Sequence, residues 1–361
     1  MSHKFTKKSA VIIKGNFQEY VYIILGNTLQ TNQPKHSNCK NSINSSVSSL
    51  QPLHQIIITM FPNFLSLVSL YGTYLRRCYT ATGLSSQTIN IDNETTIHFW
   101  GPKETTQNQK PSLVLIHGFG PMAIWQWGQQ VKFFSPHFNV YVPDLIFFGD
   151  STTKSPERSE VFQAVSVGKL METLGVQKYH VVGTSYGGFV AYQMAKMFRE
   201  RVEKVVIASS GVNMRRRDNE ALLKRAKLEK IEELMLPATA EQLRTLMVLS
   251  ANKRFNILPD FFFNDFIHKL YSENRMEKLE LLKGLTLGRE DTPNISPLQQ
   301  EVLIVWGDHD QIFPIEMATE LKELLGEKAR LEVIENTSHV PQIDCSGQFN
   351  NIVKKFLSGS L

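Results

Sequence analysis

Cysteine is scarce in this chain of 361 residues. Its three cysteines, Cys39, Cys78 and Cys345, stand far apart, are odd in number and never adopt a C-x-x-C spacing, which argues against a disulfide-stapled scaffold, a thiolate metal site or a redox pair. A reducing intracellular compartment, the cytoplasm, is expected. Apolar runs of membrane-spanning length are also missing. The opening MSHKFTKKSAVIIKGNFQEYVYIILGN is repeatedly broken by polar and charged residues, and no small-residue cleavage site follows a clean apolar core. Without secretion, the N-x-S/T sites at Asn44, Asn93, Asn294 and Asn336 read as coincidental. Charge of one sign does not dominate either: 39 Lys and Arg face 34 Asp and Glu. Arg215, Arg216 and Arg217 form the one basic block that stands out. Nucleic-acid binding would need a basic stripe interleaved with aromatics and a recognisable module, and neither is found. No glycine-rich phosphate loop, dinucleotide fingerprint or metal-ligand cluster appears, so no cofactor and no metal are expected.

What is present divides the chain. Residues 27–51 are rich in Asn, Ser, Gln and Thr and too poor in apolar residues to offset the entropy of ordering a chain. Residues 1–59 as a whole are expected to be a disordered or spurious leader, with Met60 a candidate initiator. The apolar run MFPNFLSLVSLYGTYL places a lead-in helix within 60–84. It either packs on the domain or acts as an interfacial anchor, giving peripheral membrane contact through residues 60–77 with Arg76 and Arg77 at its polar end.

From residue 87 the texture changes. QTINID and TTIHFW alternate apolar and polar around Asn93-Glu94, a hairpin signature. Short apolar runs then follow at 112–117, 139–144, 179–185, 202–210, 301–308 and 329–335, most of them separated by helix-length segments such as 157–174 and 186–199. Strands alternating with helices mean a parallel sheet with both faces covered. The hairpin adds antiparallel strands at one edge, so an α/β architecture with an eight-stranded, mostly parallel sheet is expected. Between Ser210 and Glu301 the alternation stops. Three segments of helical periodicity occupy the gap, one opened by a Thr239–Gln242 capping box. The expected division is a core of 85–211 and 298–361 carrying a helical cap at 212–297. Leu234, Leu246, Met247, Phe261, Phe262 and Phe263 are candidates to roof the site.

Gly183-Thr184-Ser185-Tyr186-Gly187 is a G-x-S-x-G pattern placed where a strand runs directly into a helix. That context makes Ser185 a nucleophile on a tight turn, with glycines where side chains would collide. A serine hydroxyl needs a base to take its proton, and the base needs a carboxylate to orient it. Asp308 and Asp310 follow one strand and His339 follows the last, both at carboxyl ends where open α/β sheets place their sites. Among ten histidines, His339 alone combines that position with distance from the acid; His309 is adjacent to both aspartates and points elsewhere. His117-Gly118-Phe119-Gly120 ends the first parallel strand as an oxyanion loop. Its donors would be the amides of Phe119 and Tyr186, with His117 supporting the loop.

Taken together, HGFG, PDLIFFGDS, GTSYGG, WGDHDQIFP and NTSHVPQ resemble the α/β-hydrolase superfamily over residues 85–358. Within it the pattern is similar to cap-bearing monoacylglycerol-lipase-like hydrolases and to carbon-carbon bond hydrolases, with an uncharacterised plant group nearest. The resemblance implies the α/β-hydrolase fold with helices on both faces of the sheet. It also selects Asp310, set in G-x-x-D-x-x-x-P, as the acid beside Ser185 and His339. Epoxide hydrolases and haloalkane dehalogenases use an aspartate where this chain has Ser185. One departure stands out: relatives carry D-L-x-G-x-G-x-S where this chain reads Asp144-Leu145-Ile146-Phe147-Phe148-Gly149-Asp150-Ser151. Trp125, Trp127, Phe147, Phe148 and Tyr186 are candidates for an apolar pocket wall, or plain core. The expected activity is hydrolysis of a small apolar carboxylic ester. Carbon-carbon bond hydrolysis is the chemical alternative and a ligand-sensing receptor the non-enzymatic one, although receptors on this fold carry an elbow resembling G-H-S-V-S-A.

Overall fold

A computed structural model describes residues 66–359 apart from 104–109, 252–257 and 294. The expected leader, 1–59, and the start of the lead-in segment, 60–65, lie outside the described residues. Helix α1, Leu67–Ala81, starts where Ser66 Oγ accepts the Ser69 N–H at 3.0 Å, an N-cap that satisfies one of the helix's orphan donors. Val68, Gly72, Leu75 and Tyr79 recur at helical spacing and bury one face, while Leu67, Leu70 and Tyr74 remain exposed. Among the described residues, no helix is long and apolar enough to cross a membrane.

The strands are β1 (Leu84–Asn90), β2 (Thr95–Pro102), β3 (Ser112–Ile116), β4 (Asn139–Pro143), β5 (Thr152–Thr153), β6 (Tyr179–Thr184), β7 (Val202–Ala208), β8 (Glu301–Gly307) and β9 (Ala329–Ile334). They form one sheet in the order β1-β2-β4-β3-β6-β7-β8-β9. These eight are the strands expected from the sequence. The two-residue β5 makes a ninth and pairs with β2 off the main path; so short a strand leaves no periodic signature. β1, β2 and β4 pair antiparallel, and every pairing from β4 through β9 is parallel.

Alternate side chains enter two separate cores. Val114 and Ile116 of β3 face one, Leu113 and Leu115 the other, as the period of two demands when both faces of a strand are covered. One face carries α2 (Ala123–Gln126), α3 (Gly128–Phe134), the short α12 (Pro341–Asp344) and the closing α13 (Ser346–Leu357), together with α1. The other carries α4 (Glu160–Thr173), α5 (Tyr186–Met197) and α11 (Ile315–Leu325).

Between β7 and β8 the chain makes five helices: α6 (Arg216–Ala226), α7 (Ile231–Met235), α8 (Ala240–Ser250), α9 (Asp260–Leu270) and α10 (Arg275–Gly284). Thr239 Oγ1 accepts from the Gln242 amide at 3.3 Å, and Gln242 reaches back to the Ala238 N–H at 2.8 Å. The inserted helices are tied to the sheet by buried Glu160, whose carboxylate accepts from the Thr286 amide at 3.0 Å and from its hydroxyl, and by Ser66 donating to Asp265 at 2.6 Å. Of the candidates for a roof, Leu234 and Phe263 are fully buried in cores, whereas Phe261 is 58% exposed and covers nothing. Its helix turns that position outward, one residue before the buried Phe262–Phe263 pair.

The chain leaves β3 toward β4 on one side and returns through α4 to β6 on the other. That reversal opens a crevice at the carboxyl ends of β3 and β6, where open α/β sheets hold their ligands.

Candidate active site

β6 delivers Ser185 into this crevice with φ 52° and ψ −122°. A positive φ is costly for serine and persists only when its surroundings over-determine it. They do: a Cβ on Gly183 would lie 2.1 Å from the Gly187 carbonyl oxygen, and one on Gly187 would lie 2.3 Å from that of Ile116. Strand and helix therefore pass too closely for side chains at either position. The turn is pinned by the Ser185 N–H donating to Ala208 O at 2.9 Å, while Ser210 Oγ donates to the Ser185 carbonyl at 2.6 Å.

The structure brings Ser185, Asp310 and His339 together. His339 Nε2 lies 3.0 Å from Ser185 Oγ, and its Nδ1 lies 2.8 Å from Asp310 Oδ2. The other Asp310 oxygen accepts the amides of Ile312 and Phe313 at 2.8 and 2.9 Å. With a carboxylate accepting at Nδ1, the imidazole carries its proton there and presents the Nε2 lone pair to the serine hydroxyl. The Phe313 ring stands 5.5 Å from the imidazole and shelters it. Asp308, the alternative acid, instead accepts the Thr337 N–H at 3.1 Å and so secures the loop that carries His339.

The loop after β3 runs alongside the serine; a Cβ on Gly118 would meet that of Ser185 at 3.1 Å. His117 Nε2 accepts the Leu145 N–H at 3.0 Å, so Nδ1 is the protonated nitrogen and donates to Gly118 O at 2.8 Å. Burial lowers the His117 pKa, which favours this neutral tautomer. Gln126 completes the clamp: its Oε1 accepts the Gly118 N–H at 2.8 Å and its Nε2 donates to Gly118 O at 3.0 Å. Because a trans peptide sets C=O and N–H in opposite directions, holding the Gly118 carbonyl fixes the Phe119 N–H to point away from the clamp. Tyr186, the other expected donor, is the first residue of α5, where amides and helix dipole both favour negative charge.

The flanking aromatics separate. Phe148 packs edge-on against His117 at 5.0 Å and Phe119 at 5.3 Å, and Phe119 against Tyr186 at 5.5 Å. Phe147 turns away beneath the Arg158 guanidinium, 4.6 Å above its ring. Its φ is 73°, a left-handed backbone imposed here on a phenylalanine. Trp125 fills the junction between α1 and α9, 5.4 Å from Tyr71 and 5.8 Å from Phe266, and Trp127 is fully buried in the core beneath the opposite face. Asp144, the first residue of that loop, is buried scaffold: Oδ1 accepts the Ala123 N–H at 2.8 Å, and Oδ2 pairs with His98 Nδ1 at 2.7 Å. Gln126 and Asp144 drew no notice in the sequence as parts of the site. A third unanticipated residue, Lys278 of α10, is buried with its Nζ 5.0 Å from the Phe148 ring centre.

A serine, an imidazole and a carboxylate in hydrogen-bonded series at the switch point of a mostly parallel sheet define the α/β hydrolases. The family model described as alpha/beta hydrolase fold matches residues 111–345, and the chain belongs to this family of hydrolases. It is 25% identical over 287 residues to the 2-hydroxy-6-oxononadienedioate/2-hydroxy-6-oxononatrienedioate hydrolase of Burkholderia vietnamiensis, covering 77% of this chain and 96% of the relative. It is 27% identical over 262 residues to the pimeloyl-(acyl-carrier protein) methyl ester esterase of Nitrosospira multiformis, covering 68% and 94%. Among solved structures, the 2-hydroxy-6-oxo-6-phenylhexa-2,4-dienoate hydrolase of a Rhodococcus species superposes with a TM-score of 0.63 at 21% identity, over 76% of this chain and 99% of that one. That last likeness speaks to the fold alone.

Proposed function

We propose that the protein hydrolyses a carboxylic ester through an acyl-enzyme intermediate, with Ser185 as nucleophile, His339 as general base and then acid, and Asp310 as the orienting carboxylate. The observation that carries this reading is the bridging imidazole, 3.0 Å from Ser185 Oγ and 2.8 Å from Asp310 Oδ2. Ser185 Oγ attacks the ester carbonyl as His339 Nε2 takes its proton, and the resulting imidazolium is stabilised by Asp310. Charge that develops on the carbonyl oxygen is met by the Phe119 and Tyr186 amides, donors already oriented before substrate arrives. The alcohol leaves with the proton from His339, and water attacks the acyl-enzyme by the same route in reverse. Ester cleavage is also what the name of the Nitrosospira relative describes.

A fluorophosphonate probe is expected to label Ser185. Ser185→Ala and His339→Ala should each lose roughly 10³-fold or more in kcat on acetate, butyrate and octanoate esters, with the melting temperature retained. Near-normal turnover by purified Ser185→Ala would overturn the reading. The Burkholderia relative, named a hydrolase of 2-hydroxy-6-oxononadienedioate and 2-hydroxy-6-oxononatrienedioate, which carry no ester, favours a second reading in which the same triad cleaves a carbon-carbon bond. Turnover of a dienol with none of any ester would select it.

A further inference from the structure

Tyr271, Asn274 and Lys278 lie where the turn between α9 and α10 descends onto the loops that flank Ser185. A Cβ on Gly120 would lie 3.2 Å from the Tyr271 hydroxyl. Asn274 Nδ2 donates to the Phe147 carbonyl at 3.2 Å and fixes the turn in place. One helical turn later, Lys278 brings its ammonium over Phe148, whose ring touches the oxyanion loop at Phe119.

Asn274 uses its polar group on the protein; the other two do not. Lys278 is 4% exposed and Tyr271 3% exposed, yet among the described residues neither the Nζ nor the phenol has a hydrogen-bond or ion-pair partner. The Glu273, Asp144 and Glu277 carboxylates act on the Lys278 ammonium only through space, against the like charge of Arg275; a buried cation with no hydrogen-bonded counter-charge is costly, and the face of one aromatic ring offsets only part of that cost. The nearby Asp144 carboxylate is already held by His98 and the Ala123 amide. Two donors at one surface, one of them cationic and neither supplied with an acceptor, call for an anionic oxygen group from outside the chain. The aromatic rims of Phe119 and Phe148 favour a carboxylate over a doubly charged phosphate, which is harder to strip of water.

We propose that Lys278, with Tyr271 on the same surface, binds a carboxylate carried by the substrate. The preferred ester would then be a monoester of a dicarboxylic acid, in contrast to the uncharged apolar ester expected from the sequence. The proposal rests on the ester reading for the bond that is cleaved, and on these two residues for the group that is bound. Burial holds the Lys278 amine down at about 8, against an ordinary value of 10.5, and a bound carboxylate would favour the charged form.

The test is equilibrium binding by calorimetry to Ser185→Ala, which holds substrate without consuming it. The pair of ligands is monoethyl adipate and ethyl 6-methylheptanoate, in which an isopropyl group replaces the carboxylate at the same position. In the Ser185→Ala background the hemiester should bind more tightly than its isostere. Adding Lys278→Met should cut the ratio of the two affinities by roughly 10- to 100-fold, and adding Tyr271→Phe by roughly 3- to 10-fold. Tighter or equal binding of the isopropyl ester, or a ratio unmoved by Lys278→Met, would overturn the carboxylate site. Turnover by the unaltered enzyme is scored separately. If it cleaves no ester while the affinity ratio still depends on Lys278, the ester reading falls and the carboxylate site stands.

Discussion

The groups that build the triad and the oxyanion loop at the strand ends differ from two residues of the helices inserted between β7 and β8 in how their polar atoms are met. At the strand ends Ser185, Asp310, His339, His117, Gln126 and Asp144 each have named hydrogen-bond partners, most within 3.0 Å. At the end of α9 and on α10, Tyr271 and Lys278 are buried beside Gly120 and Phe148 without any among the described residues. Groups that must be in place before the reaction are fixed by the protein itself. Groups left unsatisfied are available to distinguish one ligand from another. On the two proposals made above, reaction chemistry would reside in the sheet and selectivity in the insertion.

Three substitutions, the first paired with a control at an exposed position, probe that division. The largest effect is expected within the insertion. Phe263 is fully buried, clustered with Val68, Leu236 and Leu243 beneath the Arg244 guanidinium, and Phe263→Ala should cost about 3–5 kcal/mol in urea unfolding. Phe261→Ser, two residues away and exposed, should change stability by about 0.5 kcal/mol or less. Equal losses for the pair would break the packing assigned to α9.

Lys278→Met should stabilise the protein, by an amount that depends on pH. Lowering the amine from 10.5 to about 8 corresponds to at most about 3.5 kcal/mol of destabilisation, at roughly 1.4 kcal/mol per pH unit. Because the unfolded chain binds the proton more tightly, the penalty is complete below pH 8 and disappears as pH rises toward 10.5. The gap in melting temperature between variant and wild type should therefore narrow across that interval. A gap that stays constant would assign the effect to packing instead of charge.

The smallest expected effect sits at the strand ends. Gln126→Ala removes one of the two groups that hold the Gly118 peptide, leaving His117 as the other. A loss of about tenfold in kcat with a smaller change in KM is expected for a loosened transition-state donor. A rise in KM alone would place Gln126 in ground-state binding.

The sheet was legible in the sequence because alternation and short apolar runs are local patterns. Ser185 directly follows β6, and the Asp308–Asp310 pair and His339 lie in the loops after β8 and β9, so strand order brings them to one edge; the choice of Asp310 over Asp308 came from the family resemblance. Gln126 was not legible. It acts across a loop, and nothing in its neighbours distinguishes it from a solvent-facing glutamine. Lys278 belongs to RMEKLELLKG, a helix whose charged composition reads as exposed; its burial is set by what packs over it from elsewhere in the chain. Phe147 is a mixed case. The resemblance marked the position as unusual, but only backbone geometry shows that this phenylalanine takes a left-handed conformation.

The bond from Ser185 to His339 joins residues 154 positions apart in the chain, and β8 reaches β7 only after the whole helical insertion has been bridged. Contacts of such long sequence separation carry a loop-closure cost that local helices do not, and they form late in folding. A refolding chain would regain most of its helical signal while β8 and β9 are still undocked and the imidazole is still far from the serine. Recovery of hydrolytic turnover should therefore lag behind recovery of circular dichroism, so that partly folded chains during synthesis or refolding are catalytically silent.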